Sequence, residues 1–248
     1  MNVVSVFNIK GGVGKTATAV NLGHAAAAAG VRVLVWDLDP QGAASFYFRI
    51  KPRIKGGGKE LLRGKGKIGD LIKATDFAGL DLLPSDFSYR ALDLRLTKEK
   101  PTHLRNLLRP LAAEYDLVLI DCPPSMSELS EQVFRASALL LVPMIPTTLS
   151  QRTLEQLTAV LADMKKKAPP VRTVMTMVDR RKSLHRQVLE AETASRLNTV
   201  VPYASVVERM GVERCPVAAF APRSRAAAAY RAIWAEIAPS LAAPESVA

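Results

Sequence analysis

Cysteine is scarce in this sequence, and the two that occur are far apart. Cys122 and Cys215 form no C-x-x-C pair, and two cysteines are too few for the disulfide framework of a small secreted protein. The three histidines, His24, His103 and His185, are also widely separated, which argues against a histidine-based metal site. These absences fit a reducing compartment, and we expect a cytoplasmic location.

Long apolar runs and a leader segment are missing as well. No uninterrupted apolar stretch reaches the roughly 18–20 residues that a membrane-spanning helix needs. The chain enters the apolar run Val3–Phe7 almost at once, without the charged region, apolar core and cleavage site of a signal peptide. The tail from Ala238 to Glu245 is neither basic nor long enough for a membrane-binding amphipathic helix. We therefore expect no membrane attachment.

Acidic residues are outnumbered in a chain of otherwise ordinary composition. There are 34 Lys and Arg against 23 Asp and Glu, which gives a net charge of +11 and a sequence pI near 9.9. Such a surplus favours a polyanionic partner, nucleic acid first and an acidic membrane second, although a basic surface without a partner is the alternative. At 248 residues, the chain is long enough for one large α/β domain with a substantial core.

One glycine-rich stretch dominates what the sequence does contain. It runs from Ile9 to Thr16 with the sequence IKGGVGKT, between the apolar run Val3–Phe7 and an alanine-rich run from Ala17 to Ala29. A strand, a glycine loop and a helix in this order form a phosphate-binding loop, in which backbone N–H groups and the positive end of the helix surround an anion. Lys15 would lie against the β- and γ-phosphates, and the Thr16 hydroxyl would hold Mg²⁺. A turn that binds nothing is rejected, because six fixed positions recur by chance with odds on the order of 10⁻⁵.

The loop departs from the ordinary Walker A pattern, because Ile9 stands where that pattern has glycine and Lys10 follows it. The segment Lys10–Thr16 resembles the deviant Walker A loop of the ParA/MinD superfamily of nucleotide-driven dimerising ATPases, here of the ParA type. The resemblance implies an α/β P-loop fold with a mostly parallel twisted sheet flanked by helices, in a single ATPase domain over residues 1–248. In that family the first lysine reaches across the dimer interface to the phosphates of the other subunit, which implies this role for Lys10.

Two strand ends supply carboxylates. The predicted strand Val31–Leu38 runs into DLDPQG, and carboxylates at the carboxyl end of a parallel strand lie where α/β sheets bind ligands. This segment resembles the family's first switch, which implies that Asp39 positions the attacking water near Mg²⁺; Asp37 is a weaker candidate. Four apolar residues lead into Asp121, as in a Walker B strand, so Asp121 is expected to orient the Mg²⁺ hydration shell.

The resemblance implies ATP and Mg²⁺ as cofactors. After the predicted strand Val171–Val178, Asp179 takes the position near the adenine base where the wider superfamily often has asparagine, and Pro202 begins a second base-contacting loop. The full set of implied nucleotide-binding residues is Lys10, Gly11, Gly12, Val13, Gly14, Lys15, Thr16, Ala17, Asp179 and Pro202.

Further predictions concern the segments outside the nucleotide site. Residues 51–67 form a basic variable loop in which Gly56-Gly57-Gly58 breaks any helix, and the loop either contacts DNA or is solvated. We predict helices over Ile68–Ala74, His103–Glu114, Ser150–Lys167 and Ala226–Ala238, and a disordered tail over residues 242–248.

The ParA resemblance implies a cycle as well as a fold. ATP would close a homodimer, the dimer would bind double-stranded DNA of the nucleoid without sequence preference, and a ParB-like or other partner protein would stimulate hydrolysis. The cargo would be a plasmid, a chromosome origin or a protein assembly, and no N-terminal helix-turn-helix extension is expected. The basic residues favoured for DNA, whose alternative is a solvated helix edge, are Arg181, Lys182, Arg186 and Arg209.

Three other readings remain open. A MinD-like membrane-associated positioning ATPase would share the loop but needs a basic amphipathic C-terminal helix. An iron–sulfur nucleotide-dependent reductase needs cluster cysteines, which Cys122 and Cys215 do not obviously supply. A small-molecule P-loop enzyme needs a substrate pocket, and no separate motif suggests one.

Overall fold

A single sheet organises the chain. The computed structural model describes residues 1–63, 68–164, 168–191 and 193–242. Its strands are β1 Asn2–Val6, β2 Val33–Asp37, β3 Lys73–Ala74, β4 Leu80–Leu83, β5 Leu117–Asp121, β6 Leu139–Met144, β7 Val171–Val178 and β8 Arg196–Pro202. They lie in the order β3-β4-β2-β5-β1-β6-β7-β8, and every neighbouring pair is parallel except the edge pair β3 and β4. The predicted α/β fold with a mostly parallel sheet is confirmed.

Twelve α-helices lie within the described ranges. They are α1 Lys15–Ala28, α2 Ala43–Tyr47, α3 Gly57–Arg63, α4 Leu92–Leu96, α5 His103–Leu108, α6 Glu128–Ala136, α7 Thr148–Asp163, α8 Ser183–Glu190, α9 Ser205–Glu208, α10 Met210–Glu213, α11 Val217–Phe220 and α12 Arg225–Ala242. Three short 3₁₀ segments, Ile68–Leu71, Phe87–Ala91 and Arg109–Ala113, join some of them.

The core is split into two layers by the sheet. Along β2, Leu34 and Trp36 pack into one apolar cluster while Val33 and Val35 pack into the other, as the alternation of side chains along a strand requires. Helices α3 to α8 cover the first face, and α1, α2, α10, α11 and α12 cover the second. Both faces are thus buried, which explains why the central strands are uninterrupted apolar runs in the sequence.

The sheet order brings three strand ends to one place. β1 lies between β5 and β6, and β5 also pairs with β2. In this register Asp121 lies beside both Val6 and Asp37, so the segments that follow β1, β2 and β5 all start from the same edge. Carboxyl ends of parallel strands are where such sheets bind ligands.

The glycine run at 56–58 does not break a helix, which corrects the sequence-based interpretation of 51–67 as a loop. Gly56 and Gly57 have φ of +77° and +62°, so they provide the turn that leads into α3. A Cβ on Gly58 would lie 2.8 Å from a Leu92 methyl, so this glycine permits close packing against α4. The buried side chains of Leu61 and Leu62 then anchor α3 to the core. Residues 64–67 lie outside the described ranges.

Two predicted helices are shorter than their patterns suggested. Ile68–Ala74 is a 3₁₀ turn followed by the edge strand β3, because Ile72 leads into pairing with β4. His103–Glu114 is divided at Pro110, which lacks the N–H that an α-helix would use, so α5 gives way to a 3₁₀ segment. Helices α7 and α12 form as expected but with bounds Thr148–Asp163 and Arg225–Ala242. Lys165–Lys167 and the tail 243–248 lie outside the described part of the chain.

Candidate nucleotide-binding site

The glycine-rich loop connects β1 to α1. Gly12 and Gly14 have φ of +73° and +89°, a conformation that L side chains rarely adopt. Gly14 also precedes α1, and no side chain caps the N–H groups of that helix's first turn. Asn8 ties the start of the loop to the end of β6: its amide donates to the Pro143 carbonyl at 2.8 Å, and its Oδ1 accepts the Lys10 N–H at 2.9 Å. The loop therefore presents open N–H donors and a positive helix end, as an anion site requires.

Lys15 is buried within this loop. Its ammonium donates to the Lys10 carbonyl at 3.1 Å, so the Lys15 side chain folds back over the turn. Burial lowers the pKa of Lys15, and the nearby carboxylate of Asp121 opposes that shift. An anion placed against the ammonium would favour its charged form further. The Lys10 residue is half-buried at the start of the loop, and Thr16 and Ala17 lie in the first turn of α1.

Two carboxylates lie side by side at the ends of β2 and β5. Asp37 and Asp121 are fully buried. One oxygen of Asp37 accepts from the N–H and the hydroxyl of Ser45, both at 2.7 Å. Burial raises the pKa of Asp37 to about 6, although the Ser45 hydrogen bonds oppose this. Burial and then the charge of Asp37 raise the pKa of Asp121 well above its usual range, while the Thr16 hydroxyl lowers it.

The first-switch carboxylate is more exposed. Asp39 follows β2 and is half-buried; its Oδ1 accepts the Gln41 N–H at 2.9 Å. The Asp39 carbonyl accepts a hydrogen bond from the hydroxyl of Ser85, which follows β4. The segment is thereby attached to a second strand end, and Gly42 closes the turn with an N–H bond to the Asp39 carbonyl at 2.9 Å.

The donor set fits Mg²⁺, which prefers oxygen ligands. Within the described part of the chain, both oxygens of Asp121 and Oδ1 of Asp37 are buried without a hydrogen bond of good geometry, although the Thr16 hydroxyl is close enough to Asp121 to lower its pKa. Unpaired buried oxygens are costly, so their presence points to a group that would satisfy them. Among the described residues no cluster of three or more His, Cys, Asp or Glu could hold a metal by itself. Phosphate oxygens and water would have to complete any Mg²⁺ coordination to which Thr16 and Asp121 contribute.

A cavity of about 530 Å³ lies beyond the loop along β7. The Thr176 hydroxyl donates to the Val13 carbonyl at 2.8 Å, and three residues later Asp179 lines the cavity. Pro202 lines the same cavity from β8, together with Arg180, Arg181, Tyr203 and Arg225. The two positions expected near the base are therefore brought together, although they are 23 residues apart in sequence.

Asp179 already has partners in this cavity. Its carboxylate accepts from Nε and Nη2 of Arg181, both at 2.9 Å, and hydrogen bonding from Arg181 lowers the pKa of Asp179 to about 2. Its N–H donates to the buried ring of His185 at 3.0 Å. The Asp179 position is thus fixed from both sides before any ligand arrives.

The four residues favoured for DNA contact all lie on exposed positions. Arg181 pairs with Asp179, and Arg209 pairs with Glu213 and lies 5.3 Å from the Phe220 ring. Lys182 precedes α8 and Arg186 lies within it, where its guanidinium donates to the Arg180 carbonyl at 2.9 Å. Two of the four side chains are therefore paired with acids.

The structure adds residues around the site to those that the sequence indicates. Asp37, a weaker candidate from the sequence, lies in register with Asp121 and forms the carboxylate pair with it. Asn8 and Thr176, which support the loop, were not considered, although a polar residue directly after an apolar strand was a usable signal. Tyr203 follows β8 and Arg225 begins α12, so their place in the cavity depends on how these elements meet β7 in the fold, which no local pattern in the sequence shows.

Comparison with known proteins gives consistent matches. A family model described as an AAA domain matches residues 1–174. The chromosome partitioning protein ParA of Caulobacter vibrioides is 36% identical over 197 residues, which cover 76% of this chain and 74% of that protein. The sporulation initiation inhibitor protein Soj of Bacillus subtilis is 31% identical over 250 residues, or 95% of this chain and 98% of that protein.

The solved structures agree in fold. The crystal structure of cobyrinic acid a,c-diamide synthase from Mycobacterium smegmatis, with bound ADP and magnesium, is similar, with a TM-score of 0.79 and 28% identity. The similarity covers 95% of this chain and 93% of that one. Because the family model spans most of the chain and the ParA relatives exceed 30% identity over most of both lengths, this chain belongs to the ParA family of partitioning and positioning P-loop ATPases.

Proposed function

We propose that this ParA-family ATPase closes into a homodimer around ATP and Mg²⁺, binds double-stranded DNA without sequence preference, and is stimulated by a partner protein so as to segregate or position a cargo. The observation that carries the proposal is the buried pair Asp37 and Asp121, with unpaired oxygens, next to a loop with open N–H donors and a buried Lys15. A metal–triphosphate would satisfy both sets of groups at once.

Each residue has a defined role in this proposal. Gly11 to Ala17 surround the phosphates, Lys15 neutralises them, and Thr16 and Asp121 hold Mg²⁺. Asp39 orients the attacking water near the metal, and Lys10 reaches the phosphates of the other subunit. Bound Mg²⁺ supplies charge neutralisation of the transferring phosphoryl group. The Mycobacterium smegmatis neighbour with ADP and magnesium supports the choice of cofactors.

The cavity along β7 is the proposed site for the adenine base. Asp179 and Pro202 line it. Asp179 follows Met177 by two residues, and the end of the Met177 side chain lies 3.9 Å from where a Cβ on Gly14 would be, so the cavity is close to the phosphate loop. The Asp179 carboxylate can accept a hydrogen bond from the adenine amino group, although Arg181 already donates to the same oxygens.

DNA is the proposed polyanionic partner. The net charge of +11 favours it, and the similarity to chromosome partitioning proteins gives it a biological context. Arg181, Lys182, Arg186 and Arg209 are the residues proposed to contact it. The proposed location is the cytoplasm, on the nucleoid, with a ParB-like or other stimulating protein as the second partner.

A membrane-associated positioning ATPase is the alternative, and it depends on a helix with a free apolar face. Within them, no helix is both long and apolar enough to cross a bilayer. The last described helix, α12, buries Ala226, Tyr230, Ile233 and Ile237 in the core, so its apolar face is already occupied. An interfacial helix needs that face free for lipid.

Sedimentation of three variants tests the dimer. With Mg²⁺ and a non-hydrolysable ATP analogue, the unmodified protein should sediment as a dimer and Lys10→Ala as a monomer that still binds nucleotide. Lys15→Ala should lose nucleotide binding, and Lys98→Ala, an exposed lysine elsewhere, should match the unmodified protein. A dimeric Lys10→Ala would remove Lys10 from the interface, and an unmodified protein that stays monomeric would refute the proposed cycle.

A further inference from the structure

A second cavity, of about 390 Å³, lies outside the nucleotide site. One wall is the turn into α3, and the other is the 3₁₀ segment Phe87–Ala91 together with Arg95 of α4. The polar and charged side chains that line it are Arg53, Lys59, Asp86, Ser88, Arg90 and Arg95. We call this feature the basic cavity, defined by Arg53, Lys59, Arg90 and Arg95.

The carboxylate in the basic cavity is already used internally. Among the described residues that line the cavity, Asp86 is the only acid. Its Oδ2 accepts the Ile54 N–H at 3.1 Å, and its Oδ1 accepts the N–H and hydroxyl of Ser88 at 2.9 and 2.6 Å. Asp86 therefore fixes the two walls against each other, and four cations surround one committed carboxylate.

The exposure of these cations decides which kind of anion fits. Arg53, Lys59, Arg90 and Arg95 are all exposed, so each keeps much of its hydration. A compact anion gains little from hydrated cations, whereas a polyanion gains from the release of its own counterions. The exposed ring of Phe87, with the Arg90 guanidinium 4.1 Å from its centroid, adds a flat apolar surface beside the charges.

The distribution of charge points to the same part of the chain. Residues 49–109 contain fifteen Lys and Arg against seven Asp and Glu, or +8 of the total +11. Residues 171–242, which include the four residues already proposed for DNA, contain eleven against six, or +5. The larger part of the surplus therefore lies in the region that forms the basic cavity.

We propose that the basic cavity is a second contact surface for the sugar-phosphate backbone of double-stranded DNA, additional to Arg181, Lys182, Arg186 and Arg209. It depends on the proposed function only for the identity of the polyanion. Backbone contacts of this kind position a duplex without reading its sequence, because they involve phosphates alone. The surface is built by α3 and the 3₁₀ segment after β4, not by the helices around β7 and β8.

The test is a salt titration of DNA binding with matched charge reversals. A fluorescein-labelled duplex of mixed sequence is titrated with protein, ATP and Mg²⁺ over a series of KCl concentrations. The variant Arg90→Glu/Arg95→Glu alters one wall, and Arg53→Glu/Lys59→Glu alters the other. The control, Arg105→Glu/Arg109→Glu, makes the same charge change at exposed positions of the same basic region that do not line the cavity. Circular dichroism checks that each variant is folded.

The slope of log affinity against log salt is negative, and both wall variants should reduce its magnitude by about 2, one for each lost phosphate contact. The control should reduce the magnitude less. Equal losses in all three pairs would show that affinity follows net charge, and would overturn the basic cavity as a site. Unchanged slopes in both wall variants would overturn it as well. An unmodified protein that ignores the duplex even at low salt would overturn both this surface and the DNA binding proposed above.

Discussion

At the scale of single residues, the buried carboxylates Asp37 and Asp121 are electrostatically unfavourable in the folded chain without a ligand. Both carboxylates are buried in adjacent strands, and their oxygens are only partly hydrogen-bonded. Burial raises the pKa of each, that of Asp37 to about 6, and the charge of Asp37 raises the pKa of Asp121 further. Without a cation between them, the pair therefore destabilises the folded protein wherever both are charged.

The sign of the resulting pH dependence can be tested in Asp37→Asn. A carboxyl whose folded pKa exceeds its unfolded value binds its proton more tightly in the folded state, so stability is gained as pH falls through about 6 towards 4. Between pH 8 and pH 5, without nucleotide or Mg²⁺, the unmodified protein should gain about 1.4 kcal/mol in its free energy of unfolding from this group, because pH 5 lies one unit below the folded pKa. Urea denaturation of Asp37→Asn should show a smaller gain.

The exposed Asp70 provides the control for that experiment. Asp70→Asn removes a carboxyl from the surface and should leave the pH dependence close to that of the unmodified protein. If the free energy of unfolding of Asp37→Asn and of the unmodified protein depends on pH in the same way, the buried charge of Asp37 does not destabilise the fold.

Asp39→Ala separates binding from turnover. The hydrogen bond from the Ser85 hydroxyl to the Asp39 carbonyl does not involve the Asp39 side chain. The first-switch segment should therefore stay attached to the end of β4, although the Gln41 N–H loses its side-chain partner. ATP and DNA should bind as before, while hydrolysis should fall on the order of 10²-fold, the usual contribution of a group that orients or deprotonates the nucleophile. Single-turnover measurements of phosphate release would check this, and normal turnover would remove Asp39 from the chemistry.

At the scale of elements, the sequence predicts well where one local pattern decides. Leu117–Asp121 and Val171–Val178 form strands with the predicted bounds, because both sheet faces are buried and the apolar runs are continuous. The sequence identifies the phosphate-binding loop because the spacing of its glycines and the strand and helix patterns on either side point to the same motif. The DNA contacts assigned to Arg181 and Arg209 stay predictions.

The errors arose where tertiary packing overrides the local pattern. Gly56 and Gly57 form a turn into α3 instead of ending a helix, because Leu61 and Leu62 find a buried site there. The pairing of Asp37 with Asp121 needed the strand order, which has β5 beside β2 although 79 residues separate β2 from β5 in sequence. The basic cavity depends on α3 meeting the segment after β4, which no spacing in the sequence shows.

Helix α1 packs unusually close to the sheet, and Gly23→Ala measures how close. A Cβ on Gly23 would lie 2.8 Å from a Val35 methyl and 3.4 Å from methyls of Leu80 and Leu119. Alanine normally stabilises a helix by about 1 kcal/mol relative to glycine, but overpacking a filled core costs about 1–3 kcal/mol. The variant should therefore be less stable by about 1 kcal/mol in urea denaturation.

Gly211 gives the matched control. It lies in α10, and a Cβ added there would meet nothing within 4 Å. Gly211→Ala should be neutral or slightly stabilising, since only the helix propensity changes. Equal effects of the two substitutions would mean that the contact between α1 and the sheet is loose enough to absorb a methyl group.

At the scale of the whole molecule, the proposed switch links nucleotide state to the number of cations that face DNA. One chain carries a net charge of +11, divided between the basic cavity region and the last third of the chain. If two copies close around ATP as proposed, a single duplex meets two sets of these surfaces. Dimerisation would then raise DNA affinity without any change in the individual contacts.

This link predicts how salt dependence changes with nucleotide. Each neutralised phosphate contributes about 0.9 to the slope of log affinity against log salt, so a dimer that engages both copies should have about twice the slope of a monomer. The slope should be large with ATP and Mg²⁺ and about half as large with ADP. Lys10→Ala, expected to remain monomeric with ATP, should keep the smaller slope in both states, and the loss of one lysine can account for a change of only about 1. Equal slopes with ATP and ADP in a protein that sediments as a dimer only with ATP would mean that one copy alone contacts the duplex, and that nucleotide controls DNA release by another route.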